Sequence, residues 1–79
     1  MNFEEEINKK IEEINSLGFK DKINLNVKEA AKVLGVSPSS LDNYRKMGIG
    51  ADYIEIAGRR LYPKRALGEY LVRSLIRTA

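Results

Sequence analysis

The side chains best suited to chemistry in this sequence are the polar and basic residues between positions 39 and 46 and the adjacent arginines at positions 59 and 60. The 79-residue chain contains no Cys and no His, so it lacks thiolate metal ligands and the commonest general base. Its Asp, Glu, Lys, Tyr and Ser residues form no recognisable catalytic set. We therefore expect a protein that is not an enzyme and needs no metal or cofactor, and that acts through hydrogen bonds and charge.

The net charge of +3 is distributed unevenly along the chain. Residues 1–22 carry four Lys and six acidic residues, a balance of −2, whereas residues 23–79 carry ten Lys or Arg and five acidic residues, a balance of +5. A basic segment of this kind favours a polyanionic partner such as nucleic acid. A solvated surface that happens to be basic would have the same balance, so charge alone leaves both interpretations open.

Length and hydropathy indicate a single small cytoplasmic domain. A chain of this length accommodates one domain. No apolar run in it reaches the roughly 18 residues needed to cross a bilayer. The N-terminus is acidic where a signal peptide would be basic. We therefore expect a cytoplasmic location and no membrane contact.

An amphipathic helix is predicted over residues 3–17, ahead of the basic segment. Asn2 is a suitable N-cap, and three Glu residues follow in the first turn, where the helix dipole favours negative charge. Apolar residues recur at helical spacing and form one stripe, which consists of Phe3, Ile7, Ile11, Ile14 and Leu17. The stripe must be buried on the chain's own core, in a homodimer or against a partner protein. Its average spacing near 3.5 residues leaves these alternatives open.

Two short helices with a tight turn between them are predicted next. Asn26 and Glu29 can form a capping box at the start of the first helix, which ends at Gly35. Ser37 as N-cap and Pro38 at the first helical position begin the second helix. Two helices joined by so short a turn are typical of a helix-turn-helix. The apolar side chains that would face the core are Val27, Ala30, Ala31, Leu34, Leu41 and Tyr44.

The second helix of this pair, predicted over residues 38–47, carries polar side chains suited to duplex DNA. A major groove accepts one α-helix, and Asn or hydroxyl side chains can hydrogen-bond to base edges there. Two short helices are also common in proteins that bind no DNA, so the pair alone does not decide the function. The predicted contacts from this helix are Ser39, Ser40 and Asn43 with bases, and Arg45 and Lys46 with phosphates.

A β-hairpin is predicted over residues 53–62, with Ala57 and Gly58 as its turn. Arg59 and Arg60 follow the turn directly and point to opposite faces of the ribbon, so at least one is free of the packed side. A cation near the tip of a projecting ribbon can enter the minor groove or bind the sugar-phosphate backbone. A charged hairpin edge that deters strand pairing would carry the same residues, and that alternative stays open.

A last helix is predicted to begin at Pro63. Lys64 and Arg65 in its first turn add two cations that could neutralise phosphates. With four to six phosphates contacted, the logarithm of the binding constant should fall against the logarithm of salt with a slope of about −4 to −5. The predicted apolar face of this helix consists of Ala66, Leu67, Tyr70, Leu71 and Leu75.

The run from Leu25 to Ser37, LNVKEAAKVLGVS, resembles the opening of the excisionase and MerR-like winged-helix families. The resemblance covers about residues 25–72. It implies a mainly α fold with a small β-hairpin, namely a winged helix-turn-helix over residues 23–79 preceded by an extra amphipathic helix in residues 1–22. The continuation is similar in Leu41 with Tyr44, Gly48-Ile49-Gly50, the two predicted strands, and Ala66-Leu67 with Tyr70-Leu71.

The same resemblance implies how such a domain would meet double-stranded DNA. In these families the helix after the turn enters the major groove, and the hairpin, or wing, touches the backbone or minor groove beside it. Asp42 departs from the families' pattern, because an acid on this helix repels phosphate unless it accepts a hydrogen bond from cytosine or pairs with Arg45 or Lys46. The residues that carry the implied roles are Ser39, Ser40, Asn43, Tyr44 and Arg45 on the helix, and Arg59 and Arg60 on the wing.

The function implied is sequence-specific binding of duplex DNA. The protein would be a small transcriptional regulator, or an excisionase-type recombination factor of a phage or other mobile element. Two alternatives remain beside it. One is a small DNA-recognition subunit of a phage packaging terminase, and the other is an adaptor that uses the same fold to bind a partner protein.

Overall fold

The computed structural model describes residues 2–78, over which the chain forms four α-helices and three β-strands. A π-helical segment, Asn15–Phe19, follows the first helix directly. No helix within these residues is long and apolar enough to cross a membrane. In chain order, the elements are α1 (Phe3–Ile14), β1 (Asn24–Asn26), α2 (Val27–Leu34), α3 (Pro38–Met47), β2 (Ile54–Ile56), β3 (Arg59–Pro63) and α4 (Lys64–Arg73).

Helices α2 and α3 begin and end at the predicted capping residues. The Asn26 carboxamide accepts from the Glu29 backbone N–H at 2.8 Å, and the Glu29 carboxylate accepts from the Asn26 backbone N–H at 3.0 Å. The Ser37 hydroxyl accepts from the backbone N–H three residues further on at 3.0 Å. Left-handed glycines, Gly35 and Gly48, end the two helices. The prediction of two short helices joined by a tight turn is confirmed.

The first helix ends differently from the prediction. Its α-helical part stops at Ile14, and a wider π-helical turn continues to Phe19, with Gly18 inside it at a φ of 100°. Phe19 is 9% exposed and belongs to the hydrophobic core. The predicted end at residue 17 was wrong because the widened turn continues past Gly18 and carries Phe19 inward.

The apolar stripe of α1 packs on the chain's own core rather than lying free. Ile7 and Ile14 are buried, Ile11 is partly buried, and the helix lies along α4. Phe3 and Leu17, at the two ends of the stripe, remain about half exposed. Ile7 and Ile14 are thus unavailable for the predicted homodimer or partner contact, because their surface is already covered within the monomer.

The three strands form one antiparallel sheet in the order β1-β3-β2. Strand β1, which the sequence analysis did not single out, pairs with β3 so that Leu25 lies opposite Tyr62. Both side chains are buried. The core that joins the sheet to the helices consists of Ile14, Phe19, Leu25, Ala30, Ala31, Leu41, Ala51, Tyr62 and Leu67.

Helix α4 begins at Lys64, one residue after the predicted start at Pro63, which is its N-cap, and ends at Arg73. Leu67 is fully buried. Leu75 was predicted on the apolar face of this helix, but it lies beyond the helix end and is 51% exposed. That prediction was wrong because the helix stops before the fourth turn that Leu75 would need.

Candidate nucleic-acid interface

Helix α3 turns one face to the core and the opposite face to solvent. Leu41 is fully buried and Tyr44 half-buried. Ser39, Asn43 and Lys46 are exposed, and their spacing of four and three residues puts them on one line along the helix. The helix thus presents a continuous polar face with a cation near its C-terminal end.

Two of the predicted contacts on α3 lie to the side of this exposed face. Tyr44 is half-buried and lies against Gly50, where an added Cβ would come within 3.3 Å of the Tyr44 Cβ. Ser40 is also half-buried, and its hydroxyl oxygen accepts a hydrogen bond from the Ser37 hydroxyl at 3.0 Å. We therefore assign Tyr44 and Ser40 to packing and helix capping rather than to the outward surface.

Asp42 gathers three cations from α3 and β3 around one carboxylate. Its Oδ1 accepts from the Arg45 Nε at 3.1 Å and from an Arg45 terminal nitrogen at 2.9 Å, and Arg60 donates to the same oxygen. Lys46 lies 3.3 Å from Oδ2. The pairing with Arg45 and Lys46 was one of the alternatives predicted for this acid, whereas the bridge to Arg60 joins two elements and was not predicted.

The surroundings of Asp42 favour its ionised form. Hydrogen bonds from Arg45, Arg60 and Lys46, in that order of effect, hold the pKa of the Asp42 carboxyl well below its usual range. Partial desolvation opposes this shift but is the smaller effect. The carboxylate is therefore charged at any pH at which the protein would act, and the cluster carries three positive charges and one negative charge.

The two adjacent arginines of β3 point to opposite sides of the sheet, as predicted. Arg60 reaches Asp42 on α3, and it lies on the same side of the strand as the buried Tyr62. Arg59 is exposed on the other side, directly after the turn and paired in register with Ile56. Within the part of the chain that the structure describes, Arg59 has no ion-pair partner and is presented to solvent, whereas Arg60 attaches the hairpin to α3.

An aromatic pair supports Arg45 from the side of the hairpin. The Arg45 guanidinium carbon lies 5.9 Å from the centre of the Tyr53 ring, and Tyr53 in turn lies 5.9 Å from Tyr62 in a tilted arrangement. A guanidinium over an aromatic ring gains a cation–π attraction. Sequence analysis placed Tyr53 at the start of the predicted hairpin but gave it no role in the site, whereas the observed strand β2 begins one residue later, at Ile54.

Two predicted phosphate contacts on α4 are already occupied by contacts within the chain. The Lys64 ammonium donates to the Asn15 side-chain oxygen at 2.6 Å and to the Phe19 carbonyl at 3.2 Å. Arg65 forms an ion pair with Glu4 on α1. The Lys64 ammonium therefore caps the end of the first helical segment, and a DNA contact by Lys64 stays a prediction that would have to compete with these hydrogen bonds.

The structure therefore brings together part of the predicted set. Ser39, Asn43 and Lys46 share the open face of α3, and Arg45 and Arg60 lie beside them around Asp42. Arg59 adds an exposed cation on the hairpin. This group, together with Asp42, is called the α3–hairpin surface below.

Comparison of the chain with protein-family models, with curated proteins and with solved structures gave no match in any of the three cases. A functional interpretation of the α3–hairpin surface therefore depends on the geometry and charge of the chain's own residues.

Proposed function

We propose that this protein binds duplex DNA as a winged helix-turn-helix, with α3 in the major groove and the β2–β3 hairpin as the wing on the adjacent backbone or minor groove. The observation that carries the proposal is the α3–hairpin surface itself. Helix α3 has an exposed polar face, and Arg60 of the hairpin contacts that helix through Asp42, while Arg59 is an exposed cation on the other side of the hairpin.

The chemistry of the individual side chains supports this assignment. Asn43 can make two hydrogen bonds to adenine, and Ser39 can bond to a base or a phosphate. Lys46, whose side chain is 63% exposed, and Arg59 are suited to phosphate oxygens. The roles proposed for such a protein are those of a small transcriptional regulator or an excisionase-type factor, with a packaging subunit as the alternative, and the expected cytoplasmic location belongs to the same proposal.

Salt dependence tests the proposal most directly. A labelled duplex of random sequence, about 20 base pairs long, is titrated with protein by fluorescence anisotropy at salt concentrations rising from about 50 mM. Of the four cations on this surface, Arg59 has no ion pair within residues 2–78, whereas Arg45, Lys46 and Arg60 are partly engaged by Asp42. We therefore expect a slope of about −2 to −4 instead of the steeper value expected from sequence.

Charge variants locate the contact. Lys46→Gln and Arg59→Gln should each weaken binding several-fold and make the slope shallower by about 1. Lys9→Gln removes the same charge from the exposed side of α1 and is the matched control, for which we expect little change. Absence of binding at about 50 mM salt and protein concentrations of about 100 μM would contradict the proposal, since non-specific dissociation constants are about 10⁻⁴–10⁻⁶ M.

A second candidate is an adaptor with the same fold that binds a partner protein. Apolar side chains on the hairpin favour it: Ile54 is 36% exposed and Ile56 is 53% exposed, although both lie in a paired strand. The same titration separates the two candidates, because an adaptor of this kind would not bind random duplex with the salt dependence given above.

A further inference from the structure

We propose that Asp42 restrains DNA binding by competing with phosphate for the cations of the α3–hairpin surface. This inference rests on the proposed function and concerns how tightly the same surface binds duplex DNA of random sequence. Under this proposal, the Asp42 carboxylate limits binding to DNA that depends on charge alone.

The arrangement around Asp42 matches the way in which cations surround a phosphate oxygen. Arg45 donates twice to one carboxylate oxygen, Arg60 donates to that same oxygen, and Lys46 approaches the other oxygen. Guanidinium groups bind carboxylates and phosphates with the same donor geometry. A DNA phosphate at this surface must therefore displace the Asp42 carboxylate, or pair with cations whose charge that carboxylate has already partly neutralised.

The stability of the fold does not explain why three cations surround Asp42. The side chains of Asp42, Arg45 and Arg60 are each 23–34% exposed, and that of Lys46 is 63% exposed. Ion pairs with this much solvent contribute little to stability. Helix α3 is already held by its Ser37 cap and by the buried Leu41.

The position of Asp42 relates the restraint to the groove-facing residues. Asp42 precedes the exposed Asn43 by one position, so it lies next to the line of side chains proposed to meet base edges. An acid there repels any nearby phosphate whatever the base sequence. Hydrogen bonds from the neighbouring face can offset that repulsion only where the bases match.

The test is an isosteric neutralisation of the acid. Asp42→Asn keeps the size of the side chain and one acceptor oxygen but removes its charge. At about 100 mM salt we expect it to bind a random duplex about three- to tenfold more tightly than the unaltered protein, with a salt slope steeper by about 1–2. Glu12→Gln, which removes one negative charge from the exposed side of α1, is the matched control and should change affinity less than twofold.

A double-mutant cycle with Arg60→Gln keeps the test independent of small changes in stability. If Asp42 occupies Arg60, then Arg60→Gln should weaken duplex binding more in the Asp42→Asn background than in the unaltered protein. All titrations are run well below the unfolding midpoint of each variant, measured by circular dichroism.

The possible failures are distinguishable. If the unaltered protein binds duplex with the expected salt dependence and Asp42→Asn binds equally or more weakly, the restraint is overturned and the proposed function stands. If neither protein binds duplex at about 50 mM salt, both the inference and the proposed function fail. If Asp42→Asn and Glu12→Gln gained affinity for duplex DNA equally, the effect would be due to net charge, and the inference would also be overturned.

Discussion

At the scale of single residues, Lys46 and Lys64 have the same side chain but different surroundings. A substitution at one is therefore expected to change DNA affinity, and a substitution at the other to change stability. The Lys46 ammonium extends from the open face of α3, 63% exposed, with one carboxylate beside it. The Lys64 ammonium is held by Asn15 and by the Phe19 carbonyl at the end of the π-helical segment. Lys64 is thus engaged within the fold, whereas Lys46 is the lysine that we propose as a ligand contact.

Replacing Lys64 should lower stability and leave DNA affinity nearly unchanged. Lys64→Met keeps much of the aliphatic side chain but removes the charged donor, and we expect a loss of about 1–2 kcal/mol in the free energy of unfolding. Urea unfolding measures the loss, and anisotropy measures the affinity. Lys46→Met is the control and should show the reverse. We expect a clear loss of DNA affinity and a loss of less than about 0.5 kcal/mol in the free energy of unfolding. A large loss of DNA affinity in Lys64→Met that is still folded would instead show that Lys64 contacts DNA.

Sequence could not predict these residue-level contacts because their partners are far apart in the chain. Lys64 and Asn15 are 49 positions apart, and Asp42 and Arg60 are 18 apart. The capping residues of α2 and α3 were predictable, since each cap lies within three residues of its partner. The exposed cations could therefore be named from sequence, but which of them are free could not.

At the scale of elements, the hairpin turn combines a favourable residue with an unfavourable one. Ala57 has a φ of 52° and Gly58 a φ of 78°. Two successive residues with positive φ are typical of a type I′ turn, which matches the right-handed twist of a hairpin. Glycine adopts this conformation freely, whereas alanine does so at a cost of about 1–2 kcal/mol.

Ala57→Asn should stabilise the hairpin, because asparagine tolerates the left-handed region and Asn-Gly is a preferred pair in this turn. We expect a gain of roughly 0.5–1 kcal/mol in the free energy of unfolding. Gly58→Ala is the matched comparison and should lose about 1 kcal/mol, since it places a Cβ at positive φ. Thermal unfolding of the three proteins checks both signs. Destabilisation by Ala57→Asn would contradict the turn assignment.

Some elements were predictable from sequence and others were not, and the difference has physical reasons. The hairpin and the two short helices carry their own turn and cap residues, so their positions follow from local chemistry. Strand β1 is three residues long and exists through its pairing with β3. The π-helical turn likewise depends on where Phe19 finds the core. Neither feature has a local signal that separates it from a loop or an ordinary helix end.

At the scale of the whole molecule, α1 completes a core that would be small without it. A chain of this size buries only about 60% of the surface of its unfolded form. Ile14 and Phe19 belong to the same core cluster as Leu25 and Leu67. Gly68 on α4 lets the backbone of Ile7 approach closely, since an added Cβ would lie 3.4 Å from the Ile7 carbonyl oxygen. The segment from Phe3 to Phe19 is therefore part of the fold's packing and not only an appendage to it.

Truncating one buried and one exposed residue of the α1 stripe should show that its burial lies within the monomer. Ile7 is fully buried and Leu17 is 47% exposed. Ile7→Ala should cost about 2–4 kcal/mol in the free energy of unfolding, because it leaves a cavity against α4, whereas Leu17→Ala should cost less than about 1 kcal/mol. A stripe buried in a homodimer would depend on both residues to a similar extent.

Concentration dependence separates the same two cases independently. A fold that buries the stripe within one chain has an unfolding midpoint that stays constant over about a hundredfold range of protein concentration, whereas an obligate dimer becomes more stable as concentration rises. We expect constant midpoints for the unaltered protein and for both variants. A midpoint that rises with concentration and falls back in Leu17→Ala would instead show that the exposed end of the stripe joins two copies of the chain.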